Sequence, residues 1–215
     1  MATLFLVRHG ETDWNREERW QGQDDQPLNA AGRAQAEAAG RTLASDRFVA
    51  IYTSDLRRAK DTALPLATVL ELRPIALPGF GEIDTGSWTG LTRADVRTHD
   101  PEAAARHAAG GDGWTGGETY RALSERVITT AEDVAATHER GARVAVFTHG
   151  GPIRALVAHA VGAGWESARI HVAPAVHCAV TVVDVPGHRE RWRLVAFNHP
   201  LAGPAVRGPV LDAPL

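Results

Sequence analysis

The chain has 215 residues and a formal net charge of -3, from 23 Lys and Arg against 26 Asp and Glu. Hydrophobic content of 44% and charged content of 23% are those of a folded globular protein and exclude a wholly disordered chain. The near-neutral balance argues against a general nucleic-acid or membrane-surface binder, because such proteins carry a basic excess.

Taken in chain order, strand-like and helix-like segments alternate. Residues 3–7 read as a buried strand, four large apolar residues followed by a polar loop. Residues 28–44 read as an Ala-rich helix with Asn29 as its N-cap. A second short strand is expected at 49–53, then a helix at 56–72 interrupted by Pro65. Residues 78–117 break the rhythm with many Gly and short helical pieces, and read as an excursion over one sheet edge. A long helix at 118–139 leads to a third buried strand at 143–148, and a helix follows at 152–161 with Pro152 in its first turn. Strands at 178–185 and 191–197 are expected to join around Pro186-Gly187. This order implies an α/β domain with a largely parallel sheet, spanning 1–199 with the excursion at about 78–117. Residues 200–215 read as a Pro-rich irregular tail.

One thiol, Cys178, cannot form an intrachain disulfide or a four-cysteine zinc site, so a reducing compartment is expected. The apolar run Leu4 to Val7 is too short for a signal peptide or a membrane span, and no stretch near 20 apolar residues follows. The expected location is therefore cytoplasmic.

The chemistry concentrates just after the three buried strands. Arg8-His9-Gly10 follows the first, Ser54 to Arg58 follows the second, and His149-Gly150-Gly151 follows the third and opens a helix. Ligands of open α/β sheets bind outside the carboxyl ends of the strands, so parallel strands would gather two His and at least two Arg there. Glycines 10, 150 and 151 would let a ligand approach the backbone, and the helix start would add amide donors for an anion. Arginine at two of these places points to phosphate. A histidine beside arginine is held neutral and is then a nucleophile, able to attack phosphorus in line. A leaving alkoxide needs a proton donor; Glu82 is the first candidate and Asp84 its competitor, and spacing alone does not choose between them. No metal site appears and the chemistry requires no cofactor. The pair His177-Cys178 reads as structural, while Trp14, Trp20 and Trp88 read equally well as packing or as a lining of the substrate entrance.

The segment Leu6 to Thr12 with Asn15 resembles the signature of the histidine phosphatase superfamily, the phosphoglycerate-mutase-like fold. Ser54 to Ala59 with Thr62-Ala63, Glu82 with Gly86 to Gly90, Gly116-Gly117-Glu118, and Thr148 to Gly151 match further motifs in the family's order. The resemblance covers about residues 3–197. It implies a three-layer α/β/α architecture with a central, mostly parallel sheet. It makes His9 the phosphoacceptor, Arg8, Arg58 and His149 the rest of the phosphate pocket, and Glu82 the general acid. Asn15, Gln21 and Gly150 would touch phosphate or substrate. Gln21-Gly22 with Asp25 and Pro27-Leu28 is more similar to the phosphatase branch than to the mutase branch.

The expected activity is a metal-independent phosphomonoesterase acting on a sugar phosphate or phosphoglycerate derivative through a phosphohistidine. A cofactor-dependent phosphoglycerate mutase and a non-catalytic module that binds phosphorylated ligands are the alternatives. The expected partner is a small phosphorylated substrate, with no nucleic acid and no membrane. A sheet edge or the tail is the candidate surface for a homodimer.

Overall fold

The computed structural model describes residues 2–111, 113–186 and 191–201. Six strands form one sheet: β1 (Ala2–Arg8), β2 (Phe48–Thr53), β3 (Ile75–Ala76), β4 (Arg143–Thr148), β5 (Ala179–Val185) and β6 (Arg193–Pro200), in the order β3-β2-β4-β1-β5-β6. Pairings β1–β4, β2–β4 and β2–β3 are parallel, whereas β5 runs antiparallel to both β1 and β6. The sheet is therefore mostly parallel, with β5 the one reversed strand.

Strand alternation explains the layering. Leu4 and Leu6 of β1 and Val144 and Val146 of β4 enter one core, while Phe5, Val7, Ala145 and Phe147 enter the other. Both faces of the central strands are thus dry, as a parallel sheet requires. Helices α2 (Ala30–Leu43) and α3 (Arg57–Leu70) cover one face. Helices α6 (Tyr120–Ala136) and α7 (Gly150–Ala160) cover the other, with the excursion packed beside them. That excursion contains the short helices α4 (Arg93–His99) and α5 (Pro101–Ala108).

Local chemistry accounts for most helix boundaries. Asn29 caps α2 by accepting the Gly32 amide at 2.8 Å. Thr119 caps α6 in the same way through the Ala122 amide. Three details depart from the sequence reading. Helix α3 runs unbroken through Pro65, although the proline withholds a ladder hydrogen bond. Close packing holds it: a Cβ built on Gly40 of α2 would lie 2.8 Å from Pro65 Cβ. The two-residue strand β3, the one-turn helix α1 (Asp13–Arg16) and α8 (Trp165–His171) are further elements, too short to leave a periodic signature. Pro200 and Leu201 belong to the packed domain, Pro200 as the last residue of β6 and Leu201 in the α2/α3 core. The rest of the expected tail and the Gly187 turn lie outside the described residues.

The backbone after β1 is pressed against α2. A Cβ on Gly32 would stand 2.1 Å from the Glu11 carbonyl oxygen, and one on Gly10 would stand 2.5 Å from the Gly32 carbonyl oxygen. Both contacts are to main chain, which cannot swing aside. Gly32→Ala should therefore cost about 1–3 kcal/mol through overpacking, read as a lowered denaturation midpoint, and should reduce activity by shifting the turn after β1. An unchanged midpoint would contradict this contact.

Candidate active site

Three parallel strands end side by side and deliver the site. Arg8 pairs with Thr148, and the His9 amide donates to the Thr148 carbonyl at 2.9 Å. The Ser54 amide donates to the Phe147 carbonyl at 2.8 Å, so β2 finishes at the same level. Chain segments remote in sequence thus reach one edge, the carboxyl edge where α/β proteins place ligands.

His9 is almost fully buried. Its Nδ1 lies 2.7 Å from the Gly10 carbonyl oxygen. A carbonyl only accepts, so Nδ1 carries the proton and Nε2 keeps its lone pair. The Gly10 peptide is itself anchored: its amide donates to Thr62 Oγ1 at 3.0 Å, and that hydroxyl donates to the Arg58 carbonyl at 2.6 Å. Burial pushes the His9 pKa well below its ordinary 6.5; the charge of Arg58, the competition with His149 for a proton and the charge of Arg8 add to this. His149 is fully buried beside it, with ring centroids 5.1 Å apart, and is also held neutral by burial and by Arg58, Arg8 and Arg126.

The two guanidinium groups are fixed from behind. Arg58, fully buried at the start of α3, donates Nη1 to the Asp24 carbonyl at 2.6 Å and Nη2 to the Gly22 carbonyl at 2.8 Å. Arg8 donates Nη1 to the Ala175 carbonyl at 2.5 Å. Burial lowers the pKa of both, Arg58 to about 10, with Glu82 the largest opposing influence. Among the described residues, Arg8 Nε, Arg58 Nε and both ring nitrogens of His149 are buried without a protein partner. These are donors and polar atoms around one place, which suits an anion far better than an apolar ligand.

Glu82 is the carboxyl group that reaches this place. Its Oε1 accepts the Ile83 amide at 2.9 Å and the Gly151 amide at 3.2 Å, at the N-terminus of α7. The absence of a side chain at Gly151 makes room for it, since a Cβ there would sit 2.3 Å from Glu82 Oε1. Asp84 turns away and accepts the Gly86 amide at 2.8 Å. The structure thus separates the two candidate acids.

A cleft of about 590 Å³ opens over these groups, lined among others by Arg8, His9, Asn15, Gln21, Arg58 and Glu82. Asn15 and Gln21 both face the Thr12 hydroxyl, each with its side-chain carbonyl oxygen 3.0 Å from it. Gly150 stands next to Arg8, but it is Gly151 that lines the cleft. His177, read from sequence as a packing residue, is tied to the site: its Nδ1 donates to the His9 carbonyl at 2.9 Å. Trp20, Trp114 and Tyr120 line the outer wall, while Trp88 is buried behind them in the aromatic cluster. Sequence reasoning also missed Arg19, Arg93 and Arg154, which line the same cleft. Arg154 falls one helical turn after the His149 motif, the single spacing signal that could have marked it. No group of three or more His, Cys, Asp or Glu side chains placed to hold a metal ion occurs among the described residues.

The profile of the histidine phosphatase superfamily (branch 1) matches residues 4–200. The chain belongs to this superfamily. Among its relatives, a metal-independent phosphoserine phosphatase of Arabidopsis thaliana is 40% identical over 161 residues, 73% of this chain and 67% of that protein. A probable phosphoglycerate mutase, GpmB, of Salmonella choleraesuis is 32% identical over 218 residues, 100% of this chain and 97% of that protein. A solved mycobacterial glucosyl-3-phosphoglycerate phosphatase in complex with VO3 superposes with a TM-score of 0.83 at 32% identity, over 92% of this chain and 99% of that one. The three-layer fold read from the sequence is the fold of this histidine phosphatase.

The buried histidines make this histidine phosphatase acid-sensitive. His177 and His107 have pKa values lowered from 6.5 to about 4, both chiefly by burial and then by arginines, Arg8 for His177 and Arg169 for His107. Between about 4 and 6.5 the unfolded chain binds protons that the folded chain refuses, so stability rises with pH across that window and is lost on acidification. Denaturant midpoints measured from pH 7 to pH 4.5 should fall steadily below pH 6.5. A flat profile would refute the assignment of these rings as neutral.

Proposed function

We propose that this histidine phosphatase is a metal-independent phosphomonoesterase that hydrolyses small phosphorylated metabolites through a phosphohistidine on His9. The observation that carries the reading is the Nδ1 proton held by Gly10, which leaves Nε2 as a lone pair beside Arg8, Arg58 and His149. The dianion would take its donors from both arginines and His149, whose buried nitrogens point to such a ligand.

In the first step His9 Nε2 attacks phosphorus, the N–P bond forms, and the bond to the leaving oxygen breaks. That oxygen takes a proton from Glu82, and the alcohol departs. In the second step the Glu82 carboxylate takes a proton from water as the water oxygen attacks phosphorus. The N–P bond breaks, inorganic phosphate leaves, and both His9 and protonated Glu82 are restored. Flattened charge on the transferring group is met by fixed donors that need not reorganise. The relatives named phosphoserine phosphatase and glucosyl-3-phosphoglycerate phosphatase support hydrolysis of this class of substrate. The likeness to GpmB along the whole chain favours a second reading, in which phosphate returns to a phosphoglycerate rather than to water. The single buried thiol is consistent with a cytoplasmic enzyme.

Rapid mixing of enzyme with labelled substrate in the presence of EDTA should trap an acid-labile, base-stable phosphoprotein, absent in His9→Ala while that variant stays folded. Phosphate release from 3-phosphoglycerate should outpace isomerisation; the reverse would establish the mutase. Normal turnover by His9→Ala would remove His9 from the chemistry.

With Arg19, Arg93 and Arg154 beside Arg8 and Arg58, the cleft carries more positive charge than one phosphate needs. Arg154 carries a buried, unpartnered Nε, and the Arg93 guanidinium stands 5.6 Å from the Trp20 ring centroid. These groups support a substrate with a second anionic group, such as a carboxylate. Arg154→Met should lower kcat/KM for phosphoserine or 3-phosphoglycerate by about tenfold more than for glycerol phosphate, the loss of one charge-assisted hydrogen bond. Equal losses on both kinds of substrate would remove Arg154 from specificity.

A further inference from the structure

The motif Gly116-Gly117-Glu118 is not among the residues lining the cleft, yet its glutamate reaches the loop that carries Glu82. Glu118 forms a two-point ion pair with Arg126 of α6: Arg126 Nε lies 2.9 Å from Oε1 and Nη2 lies 2.8 Å from Oε2. The remaining donors of the same guanidinium bind the acid loop. Nη1 donates to the Gly79 and Gly81 carbonyls, both at 3.0 Å, and Nη2 reaches the Glu82 carbonyl at 3.4 Å. Glu118 fastens the far side of the loop, where its amide donates to the Asp84 carbonyl at 2.9 Å. The ion pair therefore holds the loop on both sides of Glu82, Arg126 from residues 79–82 and Glu118 at Asp84. A third attachment, Thr148 Oγ1 donating to the Phe80 carbonyl at 2.6 Å, ties the loop to the end of β4.

We propose that the Glu118–Arg126 pair is a positioning device that sets the Glu82 carboxyl at the leaving-group oxygen. The inference rests on the reading of Glu82 as general acid. Both side chains of the pair are largely buried, Glu118 at 15% exposure and Arg126 at 25%. This is not a solvated surface pair, whose worth would be near zero. Among the described residues, the Glu82 carboxyl is hydrogen-bonded by amides, those of Ile83 and Gly151. Its place therefore follows the backbone of residues 79–84, which Arg126 grips at residues 79–82 and Glu118 at Asp84. The guanidinium does this by shape: five donors in one plane serve a carboxylate and several carbonyls at once, which an ammonium group cannot do. Arg126 also adds to the positive field that keeps His149 neutral. A lysine at this position keeps the charge and removes the fork, so it separates geometry from charge.

The test uses first-turnover rates, because Glu82 acts in both steps and steady-state turnover would mix them. Bursts of released alcohol are measured by rapid quench for wild type, Arg126→Lys, Glu118→Gln and Glu82→Gln. One substrate is glycerol phosphate, whose alkoxide must be protonated to leave. The other is 2,4-dinitrophenyl phosphate, whose phenolate leaves without an acid. Arg126→Lys and Glu118→Gln should each slow the glycerol phosphate burst by about tenfold or more and change the dinitrophenyl burst less than about threefold. Glu82→Gln should show the same selectivity, in the range of about 10²–10⁴ for a lost general acid. If Glu82→Gln is selective and the two pair variants slow both substrates alike, or neither, the positioning role is overturned while the acid assignment stands. If Glu82→Gln shows no selectivity, the acid assignment falls and takes the positioning role with it. Glu118→Gln is nearly isosteric and serves as the second route should Arg126→Lys fail to fold.

Discussion

A neutral imidazole has to be kept inside a strongly positive cage, and the rest of the molecule is organised around that constraint. An imidazole is nucleophilic only while unprotonated, and burial together with the charges of Arg58 and Arg8 opposes protonation of His9. The same guanidinium groups would bind a dianion. In the proposed reaction one set of charges would perform two tasks, preparing the nucleophile and recruiting the group to be attacked. The tautomer is settled separately by the Gly10 carbonyl, and Thr62 fixes that peptide against the chain at Arg58. The peptides beside His9 and at Arg58 are therefore linked through the Thr62 hydroxyl.

The cage is costly to build, since buried charges and unpartnered donors oppose folding. The sheet absorbs this. Its central strands bury apolar residues on both faces, and the buried arginine and imidazole groups gather where those strands stop. Arg58 illustrates the arrangement: a fully buried arginine whose two terminal nitrogens are satisfied by carbonyls of the loop at Gly22 and Asp24, with its Nε left over. Around the acid the scheme is repeated with amides and carbonyls, which carry no net charge and hold shape without altering the field at His9.

Much of this was legible in the amino-acid order. The apolar runs at β1, β2 and β4, the Asn29 cap and the placement of Arg-His and His-Gly immediately after strands follow from local chemistry. Other features were not legible, for physical reasons. Pro65 reads as a break, yet packing against Gly40 keeps the helix whole, because tertiary contact outweighs one missing hydrogen bond. His177 reads as a core residue, and only the left-handed turn at Cys178, whose amide binds the Arg8 carbonyl, brings it against His9. Arg126 reads as one more polar residue on a helix; its significance lies in carbonyls some forty residues earlier in the chain.

By itself the sequence determined the strands, the helix caps and the residue types that can hold and attack phosphate, since these depend on neighbours within a few positions. Only the tertiary structure decided which carboxyl group reaches the cleft beside His9 and which further arginines line it. It also decided which ion pair grips the loop that carries Glu82. Those outcomes depend on strand register and on helices pressed against loops. Distant backbone atoms meet there within hydrogen-bond reach, and no local pattern records the meeting.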